Sequence, residues 1–172
     1  MKRLLTFVAF AALTIAPCAT QAQSAMSAST LGVGPHGWDY YIGTWSCSNS
    51  MPSAMSGPAT QTLTVSRSAA GSGLFFRVTG TGFDGSGFVT YAAPSKTWMN
   101  PASLANGSYS YESTTQTGKK TVWTGTMFDA STGKTMQIRD TYTLSPSSYT
   151  DVTQYKSGAV WKTSYSATCT KS

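Results

Sequence analysis

Residues 38–47 read WDYYIGTWSC, and the interpretation of the whole chain turns on them. Trp38, Tyr41, Ile42 and Trp45 fall at i, i+3, i+4 and i+7, the spacing of one helical face. Gly43-Thr44 then breaks that turn and opens an extended segment. The stretch predicts a short helical turn feeding a strand that begins at Thr44 and carries Cys47.

Downstream of it, runs rich in Thr, Val, Tyr, Phe and Trp alternate with Gly/Ser/Pro/Asn clusters, the rhythm of strands and tight turns. Candidate strands are 44–50, 59–67, 73–82, 85–91, 97–101, 107–115, 119–128, 135–144, 148–156 and 159–170. Ala70-Gly71-Ser72-Gly73, Asp84-Gly85, Asn106-Gly107, Thr132-Gly133 and Ser157-Gly158 supply residues that tolerate positive φ. Sequential antiparallel pairing of that many strands tends to close on itself and abolish exposed edges. The expected fold is all-β, a single up-and-down antiparallel barrel of about 8–10 strands after a short helical turn.

Upstream, Lys2 and Arg3 precede an apolar run from Leu4 to Ile15, and small residues follow. This is the layout of a secretory signal peptide, with cleavage expected after Ala22. The run is too short to span a bilayer, which takes about 20 residues. A lipoprotein anchor on Cys18 is the competing reading, and Pro17 directly before the acceptor argues against it. The chain divides into a signal peptide (1–22), a flexible lead-in (23–37) and a barrel domain (38–172), with a periplasmic or secreted destination. Without residues 1–22 the chain keeps 10 Lys+Arg against 6 Asp+Glu. Those cations are scattered, which excludes a nucleic-acid patch.

Cys47 and Cys169 then remain, 122 positions apart. An even pair in an exported chain argues for a disulfide, with two buried free thiols as the alternative. In a closed barrel the first and last strands are neighbours, so the bridge would staple the seam. Alternation puts Trp161, Thr163, Tyr165, Ala167 and Cys169 on one face of the last strand.

Gly43-Thr44-Trp45, at the first strand after an aromatic turn, resembles the Gly-x-Trp signature of the calycin superfamily. Tyr91 ending a Gly-rich strand pair, Trp98 after a short turn, and Lys162 following Trp161 add to a likeness with secreted bacterial calycin-like barrels of the nitrobindin type. The resemblance implies that Trp38, Gly43 and Trp45 are structural residues closing one barrel end. It also implies a basic partner for Trp45 from a late strand, either Arg139 or Lys162. Nitrobindin-like proteins hold haem through a histidine inside the barrel. No candidate strand here contains one, so neither haem nor any other cofactor is expected.

The catalytic inventory is thin. His36 is the single histidine and lies before the barrel; Glu112 is the single glutamate. Neither a Ser-His-Asp triad nor a metal site follows from that set. Asp140 and Asp151 lie on neighbouring strands, and the expectation is that both face solvent. Alternation also points Arg77 and Arg139 outward, although Asp140 then interrupts an otherwise apolar inward set on its strand.

Non-catalytic binding of a small apolar or amphipathic molecule is the leading expectation. Candidate contacts are Met51, Met55, Tyr91, Trp98, Trp123, Trp161 and Tyr165. Residues 51–58 form either a lid over one mouth or a plain exposed loop. A filled barrel with an envelope or protein-interaction role is one alternative, to be separated by the size of the interior against roughly 300 Å³. An enzyme is the other, and it needs a pocket gathering Asp140, Asp151 or Glu112 with a perturbed acid. An outer-membrane barrel is the remaining alternative, allowed by length and strand rhythm; it needs a continuous outward apolar band, and residues 148–156, SYTDVTQYK, supply no such face in either parity.

Overall fold

The computed structural model describes residues 36–53 and 56–172. The expected signal peptide and nearly all of the lead-in lie outside them. A 3-10 turn over Asp39–Tyr41 precedes ten strands: β1 Gly43–Asn49, β2 Thr60–Arg67, β3 Gly73–Gly80, β4 Phe83–Ala92, β5 Thr97–Leu104, β6 Tyr109–Thr114, β7 Lys120–Asp129, β8 Lys134–Leu144, β9 Ser148–Ser157 and β10 Val160–Lys171. Each strand pairs antiparallel with the next, and β1 pairs with β10, so the sheet closes into one up-and-down barrel. The expected architecture is the observed one, and no strand edge remains free to recruit another chain.

The seam is stapled. Cys47 and Cys169 sit directly opposite each other in the β1–β10 register and form a disulfide, with Cα atoms 4.0 Å apart. Such a bond fits an extracellular or periplasmic setting. Among the described residues no helix is long and apolar enough to cross a membrane.

Two local features depart from simple alternation. Pro101 does not end β5, which continues to Leu104. A proline cannot donate to the ladder. Accordingly the β4–β5 pairing lapses between Gly87↔Ala102 and Thr90↔Met99 and then resumes. In β10 the register shifts between Thr163 and Tyr165, a bulge at Ser164. A bulge inserts one unpaired residue and reverses the facing of everything beyond it. Tyr165, Ala167 and Cys169 face inward as expected, but the face does not extend to Trp161. That residue pairs with Lys156 and meets the Arg139 guanidinium, 4.5 Å from its ring centroid, on the outside.

The aromatic turn closes the barrel end where β1 begins. Trp38, Tyr40 and Tyr41 are buried, and Trp45 is 0 % exposed. Ring centroids lie 4.9 Å apart for Trp38–Trp123, 5.0 Å for Tyr41–Tyr149 and 5.1 Å for Trp45–Tyr149. The Trp45 indole donates to the Tyr41 carbonyl at 2.7 Å. Tyr40, which helical spacing places off the buried face, is buried because the turn is tighter than an α-helix. Its hydroxyl donates to Ser145 O at 2.6 Å and ties the plug to the β8–β9 turn.

The basic partner of Trp45 is neither Arg139 nor Lys162 but Lys171, whose ammonium lies 5.3 Å from the ring centroid. Lys171 is opposite Trp45 in the seam register, while Arg139 points outward to Gln154 at 2.8 Å. Gly43 makes room for that lysine. Its φ is +129°, and a Cβ there would meet Lys171 Cε at 3.0 Å.

Candidate functional site

Above the plug the inward positions change character. One step along their strands from Trp98, Thr114, Tyr142 and Tyr149 come Asn100, Glu112, Asp140 and Asp151. Asn100 pairs with Glu112 across β5–β6, and Glu112 with Gly125 across β6–β7. Gly125 admits no side chain, since a Cβ there would stand 2.7 Å from Glu112 Cα. Asp140 of β8 lies opposite Trp123, one inward position along β7 from Gly125, so Glu112 and Asp140 are buried neighbours whose charges oppose each other. On the far side, Asp140 is paired with Thr153, and Tyr142 with Asp151.

The expectation that Asp140 and Asp151 face solvent is therefore overturned. Asp140 is 8 % exposed and Glu112 2 %. The physical reason is the β8 parity itself: Met136, Ile138, Asp140, Tyr142 and Leu144 form one inward face, and the acid belongs to it. Arg77 and Arg139 do point outward, Arg77 pairing with Asp84 at 2.6 Å on the surface. No cation lies within ion-pair distance of the three inner carboxylates among the described residues.

Burial dominates their titration. It drives Glu112 well above the ordinary carboxylate range, and the neighbouring Asp140 charge raises it further. Asp140 is raised by burial to about 6, with hydrogen bonds from Thr153 and Glu112 working the other way. Asp151 is pushed well up by burial and by the Asp140 charge, against a hydrogen bond from Tyr142.

Two communicating chambers occupy the interior. The inner one, about 110 Å³, lies on the aromatic plug and is lined mainly by Trp38, Trp123, Tyr142, Tyr149 and aliphatic side chains of β2–β4. The outer one, about 190 Å³, leads toward the mouth and includes Asp140, Thr153, Met127 and Ser56. Gln61, Phe76, Val78, Asp151 and Tyr165 line both, so Asp151 stands at their junction.

Of the candidate contacts read from sequence, Trp123 and Tyr165 line this space. Tyr91 and Trp98 pack together, centroids 5.0 Å apart, as part of the plug. Trp161 is outside. Met51 is 40 % exposed and lines neither chamber, and Met55 lies outside the described residues.

Comparison with protein-family models gives no match, and comparison with curated proteins gives none either. The chain is described by its own geometry: a closed ten-stranded antiparallel barrel compatible with a calycin-like fold.

The described residues of the β1–β2 loop are anchored by polar side chains, and of them Ser56 lines the outer chamber. Asn49 Nδ2 donates to Ser56 O at 3.1 Å, and Gln61 Nε2 donates to the same oxygen at 2.8 Å. Both amides are buried and project inward from the strands the loop connects. Sequence reasoning passed over Asn49 and Gln61. The signal for them was their parity, Asn49 on the Trp45/Cys47 face and Gln61 in step with Leu63 and Val65.

Proposed function

We propose that this chain is an exported calycin-like barrel that binds a small apolar or amphipathic molecule in its interior and does not transform it. The observation that carries the reading is the pair of adjoining chambers above the plug, mostly apolar in lining with a few polar groups among them. Binding sites of that composition are the usual product of a barrel with room left inside. Each chamber is smaller than the roughly 300 Å³ at which drug-sized pockets begin, so the ligand is a small one. The aromatic turn, Gly43 and Trp45 have the end-closing role that the calycin resemblance implies.

Acid–base catalysis is the second reading, favoured by the gathering of Glu112, Asp140 and Asp151. Geometry weighs against it. Glu112 lines neither chamber, so it does not face the space in which a substrate would sit.

The test is native mass spectrometry of the protein purified from its own host. A discrete low-mass adduct, lost on denaturation, is expected. A bare chain mass under conditions that preserve the fold would overturn the binding reading in favour of a filled structural barrel.

A further inference from the structure

Barrels that bind fatty acids set a cation inside to meet the ligand carboxylate. The interior here carries the opposite sign. Three carboxyl groups share it and no salt bridge reaches them among the described residues, so an anionic ligand would find no charge partner there. Asn100 adds a separate observation: it lines the inner chamber, is 8 % exposed, and its Oδ1 has no hydrogen-bond partner among the described residues. Asp151 Oδ1 and Asp140 Oδ1 are likewise buried and without a partner. Trp38 Nε1, Trp123 Nε1 and Tyr41 Oη, which also line the inner chamber, are buried donors without a partner, so the unpaired polar atoms there are of both kinds and Asp151 is the one carboxyl among them. Around them, Trp38, Trp123, Tyr142 and Tyr149 present ring surface to the inner chamber, the surroundings that stabilise an organic cation through π-face attraction.

We propose that the chamber recognises a small primary ammonium ion, its cationic head held by Asp151 with Asn100 and its apolar body seated among the aromatic rings. This rests on the reading that the barrel takes up a small ligand. The space suits a body about the size of one benzene ring, which a cavity of about 150 Å³ accommodates in a protein core. An ammonium without a carboxylate would pay a large desolvation penalty there, and Asp151 at the junction of the chambers removes it.

Proton linkage gives the site a signature. The titratable groups lining the inner chamber are Asp151 and Tyr149 on β9, Tyr142 on β8, Tyr165 on β10 and Tyr41 on the plug turn, while Asp140 on β8 lines the outer chamber and Glu112 on β6, next to Asp140, lines neither. From β1–β5 only Gln61, Asn100 and the disulfide contribute polar or sulfur groups to the inner chamber. With the carboxyls largely protonated when free, an arriving ammonium displaces a proton.

Titration calorimetry of the full-length mature protein with benzylamine, benzyl alcohol and benzoate near pH 8 decides the matter. Benzylamine, as its ammonium ion, is expected to bind at least about tenfold tighter than benzyl alcohol, with no heat from benzoate. Asp151→Asn is expected to remove that preference, bringing benzylamine affinity down to that of benzyl alcohol for the same variant. Equal affinity for the amine and the alcohol would overturn the cation assignment while upholding a small-molecule barrel. Silence from all three probes, with the disulfide and the native circular dichroism intact, would overturn both. Because the probe series is run on the unmodified protein, it decides the question even if the variant fails to fold.

Discussion

Glu112 on β6 and Asp140 on β8 are buried neighbours inside the barrel, Glu112 opposite Gly125 of β7 and Asp140 opposite Trp123. That contact carries a cost that depends on pH. Both groups, with Asp151, have folded-state pKa values above their unfolded ones, so the native state holds more protons. Stability is then greatest below the unfolded carboxylate values near 4 and declines as pH rises through about 6 and beyond. For Asp140 alone the change is about 3 kcal/mol across that window. Denaturant midpoints measured from pH 4.5 to pH 8 are expected to fall, and Asp140→Asn to flatten the slope. A midpoint that rises with pH would contradict the burial of these acids.

Ligand affinity runs in the opposite sense. Benzylammonium favours the ionised carboxylates, so its affinity is expected to increase from about pH 5 to pH 8, by up to about tenfold per unit for each proton displaced. Calorimetry in two buffers of different ionisation enthalpy counts the released protons directly. Benzyl alcohol, which does not select the ionised form, is expected to show no such slope.

The seam disulfide closes a loop of most of the described chain. Replacing Cys47 and Cys169 together by alanine is expected to lower stability by about 4 kcal/mol in denaturant melts, since the unfolded chain regains the entropy of that loop. Reducing the unmodified protein should reproduce the loss. An unchanged midpoint would mean that β1–β10 pairing holds the seam without the bond.

Gly43 is tested by Gly43→Ala. The φ of +129° strains any side chain, and the new Cβ would press on Lys171 above Trp45. A loss of about 1–3 kcal/mol is expected, together with a shift in tryptophan emission as the lysine is displaced. Lys171→Met should shift the emission with a smaller loss of stability.

Most of the fold was legible because the turn residues punctuate it and closure follows from strand count. The parity of β8 was legible too, yet its inward aspartate was discounted, because an unpaired acid in a core violates the rule that buried charges have partners. What alternation within one strand cannot reveal is that Asp140 has Glu112, two strands away, as a buried neighbour. The Ser164 bulge hid in the same manner. Nothing in TSYSA marks an unpaired residue, and without it Trp161 reads as an interior ring. Lys171 escaped notice as the partner of Trp45 because its position depends on the seam register, a relation between chain ends.

The central claim is that the space above the aromatic plug is a ligand chamber organised by Asp151. A crystal structure of the protein grown with benzylamine near pH 8 tests it most directly. The account predicts the ring against Trp123 and Tyr149 and the ammonium within hydrogen-bond distance of Asp151 and Asn100. Density for the ligand on the outer surface alone, with the chambers closed by side chains, would contradict it.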